Sequence, residues 1–277
     1  MPQDPKIIAT KTVDGEVHIF DYFKHPCTPV NDEVKPDLRL LGHTQEGYGL
    51  AWNKHQHGLL LSGSDDCNVC IWDINATNSN QLTQDPITYF EAHSSIVEDV
   101  AWNNFDVNTF LTVGDDKKMR IWDKRDATSP TSSIEGHVQE IMSVDCSPFD
   151  QYLVCTGSAD TTVAVWDMRN VKTKLFSLQA HTKDVNNVRF SQMQSNLLAS
   201  SGQDRRIMIW DLSRFGAPQT EEEKADGPPE LLFVHGGHTD RVSDFSWNLN
   251  ERLMLASTAD DNVLQVWQVA YEQYYDV

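Results

Sequence analysis

Apolar, β-branched and aromatic residues fall in short runs along this chain, and Gly, Pro, Asp and Asn interrupt them every few residues. Ile141 to Cys146, Leu153 to Thr156 and Val163 to Trp166 form one such series, broken by Pro148, Asp150, Gly157 and Asp160. Runs of this length and composition, bounded by turn formers, predict β-strands. No run of 18 apolar residues occurs, so no membrane span is expected.

The series recurs in fixed register. His43 and Trp72, His93 and Trp122, His137 and Trp166, His181 and Trp210, and His238 and Trp267 are each 29 residues apart. Asp66, Asp116, Asp160, Asp204 and Asp261 each lie six residues before the Trp, and Ser62, Thr112, Thr156, Ser200 and Ser257 ten before it. Trp52, Trp102, Cys146, Phe190 and Trp247 lie twenty before it. Asp follows the first four repeat tryptophans, and Gln268 follows the fifth. A partial copy opens the chain, with Thr10 and Asp14 in step with Phe20-Asp21 but no His and no first strand. A constant internal period of this size marks a repeat protein.

The repeat predicts its own chemistry. The turn Asp can accept from the His ring, the His can meet the hydroxyl, and the hydroxyl can meet the indole N–H. Such a chain satisfies polar groups whose burial is otherwise costly. Ser62, His43 and Asp66 also supply the residue types of a nucleophilic triad. An active site is one place, and this set occurs five times, so a structural network and no catalytic residue is the expectation.

A unit of about 44 residues with four strands, a Gly-His and a Trp-Asp resembles a WD40 propeller blade. The expected fold is all-β, a WD40 β-propeller of five full repeats and one partial. The incomplete repeat covers 1–41, and the full repeats cover 42–90, 91–135, 136–180, 181–236 and 237–277. The step from His181 to His238 is 57 residues against 44 for the two before it. The extra length is an acidic inserted loop at 213–230, with Glu221, Glu222, Glu223, Asp226 and Glu230. Pro228-Pro229 stiffens its exit, and Phe233 and Val234 follow. An acidic rim beside an apolar patch suits a basic amphipathic helix.

The net charge is −19, from 41 acidic and 22 basic residues. That field repels nucleic-acid phosphates and attracts basic partners. In a propeller the residues just after each His open the innermost strand, at the mouth of the central channel. Three after the His stand Glu46, Ile96, Glu140, Asp184 and Arg241; five after it stand Tyr48, Glu98, Met142, Asn186 and Ser243. Before each turn Asp stand Asp65, Asp115, Ala159, Gln203 and Asp260. This arrangement predicts a carboxylate-rich mouth that takes an extended basic tail. Five cysteines without regular spacing point to a reducing compartment. Cys67-x-x-Cys70 has no second pair at zinc-site spacing, so neither a metal nor any other cofactor is expected. The N-terminus shows no basic-then-apolar secretory pattern.

More specific blocks run through the whole chain. They are Met1-Pro2-Gln3-Asp4-Pro5-Lys6-Ile7-Ile8-Ala9-Thr10, Pro36-Asp37-Leu38-Arg39-Leu40, Glu46-Gly47-Tyr48-Gly49-Leu50, Ser201-Gly202-Gln203-Asp204-Arg205-Arg206 and Asp226-Gly227-Pro228-Pro229-Glu230-Leu231-Leu232-Phe233. Together they resemble the retinoblastoma-associated histone-binding WD-repeat family, which supplies the small subunit of chromatin assembly factor. The resemblance implies a seven-bladed propeller acting as a nuclear histone-binding scaffold and chaperone, with a cytoplasmic pool. Its settings would be chromatin assembly, deacetylase, remodelling or Polycomb-type complexes that regulate transcription.

Two peptide sites follow from the resemblance. The channel mouth would take the histone H3 tail, and Glu46, Tyr48, Glu98 and Asp260 match the family's pattern there; Glu140, Asp184, Asp65 and Asp115 join the same mouth by their place in the repeat. Met142 and Asn186 depart from the family's Asn and aromatic there. A side groove with Asp226, Pro228, Pro229, Phe233 and Val234 would hold the first helix of histone H4, opposite a long N-terminal helix. In the family that helix and the closing strand precede the segment matching Met1. The expectation is therefore two raw strand edges and weak binding of an isolated H4 helix. Trp122-Asp123-Lys124-Arg125 and Trp166-Asp167-Met168-Arg169 fit the Trp-Asp-x-Arg box of cullin-type ubiquitin-ligase substrate receptors. A ligase adaptor is thus the alternative partner, and a generic assembly scaffold the third reading.

Overall fold

The computed structural model describes residues 1–26, 28, 34–76 and 81–270. The strands gather into two compact units, Met1–Ser133 and Ile134–Val277. Each full repeat builds one sheet, in chain order from its inner strand outward. The first repeat gives Leu50–Trp52, Leu59–Gly63, Val69–Asp73 and Thr88–Phe90; the second gives Val97–Trp102, Thr109–Gly114 and Lys118–Asp123, with Ser132–Glu135 at the division between the units. In the second unit the third repeat holds Ile141–Cys146, Leu153–Ser158, Thr162–Asp167 and Phe176–Gln179. The fourth holds Val185–Phe190, Leu197–Gly202, Ile207–Asp211 and Leu231–His235. The fifth shows three strands among the described residues, Val242–Trp247, Met254–Ala259 and Leu264–Gln268. The end of its expected range, 271–277, lies outside the described residues. One four-residue α-helix, Glu223–Asp226, lies in the inserted loop.

The partial repeat supplies Ile7–Lys11, Val17–Asp21 and Leu38–Leu40 among the described residues. Its outer edge is covered in a way the sequence does not announce. Thr83–Gln84 lies parallel to Leu38–Leu40, with Arg39 N donating to Leu82 O at 2.9 Å and Leu41 N to Gln84 O at 2.8 Å. Covering an edge strand removes a template for pairing with other chains.

Sheets pack face to face within each unit. Leu59, Leu61, Val69, Ile71 and Phe90 of the first repeat meet Val97, Val100, Trp102, Phe110 and Trp122 of the second. Cys155, Val163, Val165 and Leu178 of the third meet Val185, Val188, Phe190 and Trp210 of the fourth. Period-2 alternation brings these side chains to the buried faces.

Every full repeat turns between its second and third strands through a left-handed residue that is not Gly. These are Cys67, Lys117, Thr161, Arg205 and Asn262, each with φ between 62° and 70° and each directly after the turn Asp. The Asp carboxylate stabilises the turn by accepting the amide two residues on, as from Thr162 N at 3.0 Å. Thr161, at φ 70°, is the β-branched case and the most strained by its Cβ substituents. Thr161→Gly is expected to raise stability by about 0.5–1 kcal/mol in urea unfolding. A loss of stability would show that the threonine side chain, and not the turn, dominates there.

Candidate functional site

The five tetrads come first because they position everything at the turn end of each repeat. His43, His93, His137, His181 and His238 place Nδ1 on Asp66, Asp116, Asp160, Asp204 and Asp261 at 3.1, 2.8, 2.9, 2.9 and 3.1 Å. Their Nε2 atoms meet Ser62, Thr112, Thr156, Ser200 and Ser257 at 3.1, 2.7, 2.8, 2.7 and 2.8 Å. In four repeats the indole N–H donates to that hydroxyl: Trp122, Trp166, Trp210 and Trp267 at 3.1, 2.9, 2.8 and 3.1 Å. The first repeat departs from the expected chain. Trp72 Nε1 donates to Leu41 O at 3.0 Å, so Ser62 has only its histidine within that chain.

The network assigns one direction of donation: indole to hydroxyl, hydroxyl to Nε2, Nδ1–H to carboxylate. Burial would raise the carboxyls, but the histidine and backbone donors outweigh it and hold Asp66 and Asp116 down to about 2. Asp160 is also held well below the usual carboxylate range. Burial lowers His93 and His137, against the pull of their aspartates, so both imidazoles stay neutral. All five hydroxyl residues are essentially buried, so the Ser62–His43–Asp66 array offers no open nucleophile.

The two sets of acidic positions read from the sequence adjoin in every full repeat. The residue before the turn Asp donates its amide to the carbonyl three after the His. These pairs are Asp65 to Glu46 at 2.9 Å, Asp115 to Ile96 at 3.1 Å, Ala159 to Glu140 at 3.0 Å, Gln203 to Asp184 at 2.9 Å and Asp260 to Arg241 at 3.0 Å. The position five after the His is a β-bulge in four repeats. Glu98, Met142, Asn186 and Ser243 are each skipped in the pairing of inner and second strands. A bulge re-aims a side chain out of the sheet's alternation. No pattern of apolar and polar residues reports it.

In the first unit this geometry gathers charge. Asp115, Asp65 and Asp99 all act on the Glu98 carboxyl. Burial, then Asp115, pushes its carboxyl up to about 8. Asp65 Oδ1 is buried without a hydrogen-bond partner. Glu46 is exposed, and Tyr48 stands out at 81% exposure. Gly47 between them is required: a Cβ there would lie 2.6 Å from Ser64 Cα. Lys11, which sequence reasoning passed over, inserts its ammonium here and donates to Gly63 O. Burial lowers it to about 8, against Asp66, Cys70 and Asp65. Its signal was available: Lys11 follows Thr10 at the register where the full repeats carry Gly63, Val113, Gly157, Ser201 and Thr258.

The equivalent positions of the second unit are already partnered at two points. Arg241 pairs with Asp260, which also accepts from Ser243 Oγ at 3.0 Å. Asp184 accepts from Gln203 Nε2 at 2.9 Å. Glu140 is half-buried, and its carbonyl accepts from Ser158 Oγ at 2.8 Å.

The inserted loop is ordered by local bonds. Thr220 and Glu223 exchange hydrogen bonds as a capping box, at 2.7 and 3.3 Å, and Gln219 Nε2 donates to Gly227 O at 3.0 Å. Asp226, Pro228 and Pro229, with Arg214, Pro218 and Leu231, line a cleft of about 180 Å³. Phe233 and Val234 lie outside that lining. They are neighbours on one strand and so face opposite ways. Phe233 packs toward Trp267 with ring centroids 5.9 Å apart, while Val234 is exposed.

Both Trp-Asp-x-Arg boxes present an exposed arginine on its own aspartate. Arg125 Nη2 lies 2.5 Å from Asp123 Oδ2, and Arg169 Nη2 lies 2.7 Å from Asp167 Oδ2. Arg169 also covers the Tyr152 ring at 4.4 Å. Among the described residues, no His, Cys, Asp or Glu group has metal-site geometry. Burial pushes the Cys70 thiol up to about 12, making it a poor ligand at neutral pH.

Strand order, turn chemistry and repeated tetrads define a β-propeller repeat protein whose class mediates protein–protein interactions. The family described as WD domain, G-beta repeat matches residues 35–73, 84–123, 128–167, 172–211 and 229–268, and the chain belongs to it.

Proposed function

We propose that this WD40 chain is a non-enzymatic histone-binding scaffold of the retinoblastoma-associated type, working in the nucleus within chromatin assembly or chromatin-modifying complexes. It takes a basic histone H3 tail at the acidic turn end of its first unit. The observation that carries this reading is the convergence on Glu98 of Asp115, Asp65 and Asp99, beside exposed Glu46 and Tyr48. Clustered carboxylates next to a projecting aromatic ring suit an extended chain rich in Lys and Arg. The Gly227-Pro228-Pro229 cleft is the contact offered to a histone H4 helix. Its volume is below that of ordinary small-molecule pockets, so the helix would gain little there without further surface.

An H3-tail peptide is expected to bind with an affinity that falls steadily as salt rises, because the contacts are ionic and partly exposed. Salt-independent binding, or none, would remove the reading. Pulldown separates the second reading, which the two exposed arginines favour. Histones with assembly-factor or deacetylase subunits support the scaffold. A cullin-ligase adaptor lost on Arg125→Ala or Arg169→Ala supports the receptor.

A further inference from the structure

The seam between the partial repeat and the first full repeat is built the other way round from two later seams. In those, a glycine at the end of one repeat's second strand receives a valine that opens the next repeat's inner strand. A Cβ on Gly63 would meet Val97 Cγ1 at 2.6 Å, and one on Gly157 would meet Val185 Cγ1 at 2.8 Å. At the first seam the large residue is Lys11, in the register of Gly63 and Gly157, and the small one is Gly47, in the register of Val97 and Val185. A Cβ on Gly47 would meet Lys11 Nζ at 2.8 Å.

The exchange changes the backbone that follows. Val97, Ile141, Val185 and Val242 are buried, and each opens an inner strand of six residues. In the first repeat the inner strand is only Leu50–Trp52, and Gly47-Tyr48-Gly49 precedes it. Tyr48 therefore stands between two glycines, the residues with the most backbone freedom to lose, yet it carries the projecting ring, 81% exposed. The segment is held from beneath. Lys11 donates to Gly63 O, Gly63 N donates to Gly49 O at 3.0 Å, and Ser64 Oγ donates to Gln45 O and Glu46 O, both at 2.8 Å. The partial repeat braces the same turn at a second point, where a Cβ on Gly15 would lie 2.8 Å from Gln45 O.

We propose that Lys11 is a positioning residue for peptide recognition: standing where other seams have glycine, it fixes Gly47-Tyr48-Gly49 outside the inner strand, so that Tyr48 faces the guest. This rests on the peptide-binding reading above and adds to it the residue that preorganises the aromatic contact. Lys11 acts through Gly63 and Gly47, not on the guest. A segment fixed before the guest arrives loses less freedom on binding. The charge of Lys11 has the wrong sign for a basic guest, so charge alone predicts tighter binding once it is removed. Positioning predicts the opposite, and the two are separable.

The test titrates an H3-tail peptide into the full chain. Lys11→Met, which keeps an unbranched stem, is expected to weaken binding by about tenfold. In a Tyr48→Ala background the same change should cost less than about twofold, because the two residues act as one unit. Amide exchange at Gly47, Tyr48 and Gly49 should quicken in free Lys11→Met. Reversing the seam, with Lys11→Gly and Gly47→Val together, should leave the melting temperature near that of the wild type and reduce binding to the level of Tyr48→Ala. Unchanged or tighter binding by Lys11→Met overturns the inference. So does an equal loss with and without Tyr48, which would make Lys11 a support of the fold only. If Lys11→Met does not fold, the reversed seam decides, and wild-type affinity there overturns the inference. Absence of peptide binding by the wild type overturns the peptide-binding reading itself and the inference with it.

Discussion

Asp160→Ala is expected to cost about 3 kcal/mol in reversible unfolding, the upper end for stranding buried donors. The carboxylate accepts from His137 Nδ1 at 2.9 Å, Val138 N at 3.2 Å, Thr162 N at 3.0 Å and Thr162 Oγ1 at 2.6 Å. Alanine leaves all four donors without that acceptor, beside a histidine side chain that is fully buried. The repeats also predict a ranking. Thr156 serves both His137 and Trp166, so Thr156→Val should cost roughly 2 kcal/mol. Ser62 serves His43 without Trp72, so Ser62→Ala should cost only about 1 kcal/mol. Equal losses at Ser62 and Thr156 would mean that the indole bond contributes nothing.

Acid should attack the same network from two groups with one sign. His93 and His137 are lowered in the folded chain, so the unfolded chain takes up protons first, below about pH 6.5. Their contribution is complete above that value and is lost as pH falls. Asp66 and Asp116, at about 2 when folded, contribute fully above the unfolded value near 4 and lose that contribution as pH falls through 2. Glu98 opposes them, since a raised carboxyl stabilises at low pH and loses that contribution as pH rises through about 8. Melting in the Glu98→Gln background isolates the tetrads. There the melting temperature should fall continuously from pH 6.5 downward, and a rise between pH 6.5 and 5 would contradict the neutral-histidine assignment.

The second large effect is on binding. Glu46→Lys with Glu98→Lys should weaken an H3-tail peptide by about a hundredfold or more, the range for removing close charge partners and adding repulsion. Glu46 is exposed and Glu98 half-buried at a bulge, so the fold should tolerate both changes. Reversing Glu221 and Glu222 in the inserted loop changes net charge equally and provides the comparison. If the loop pair weakens binding as much as the first-unit pair, attraction comes from the overall field and not from a site. Asp260 is the less informative target, because Arg241 already claims its carboxylate.

Much of this was legible in the chain because repetition multiplies a weak signal. One His, one Asp and one Trp at these spacings mean little; five copies in register state which atoms must meet, and all but the Trp72 indole do so. The turn positions were legible for a related reason. A side chain that must cap a left-handed residue has few alternatives to Asp. The insert at 213–230 showed as a broken period, and its acidic residues as composition.

What the tertiary structure decided lies where a side chain's direction, not its identity, matters. Trp72 carries the same repeat signature as Trp166, yet its indole turns to Leu41 O. Phe233 and Val234 read as one apolar patch, but strand alternation sends them to opposite faces. Thr83–Gln84 covers a strand more than forty residues earlier through parallel pairing, which no local pattern encodes. Arg241 and Asp260 were legible as neighbours on one end, but only the coordinates join them as an ion pair. Residue identities and their period determined the repeats, the tetrads and the acidic character of the turn end. The bulge that swings Glu98 onto Asp115 depended on register between two strands, because backbone pairing, once slipped by a residue, re-aims a side chain without changing the sequence that carries it.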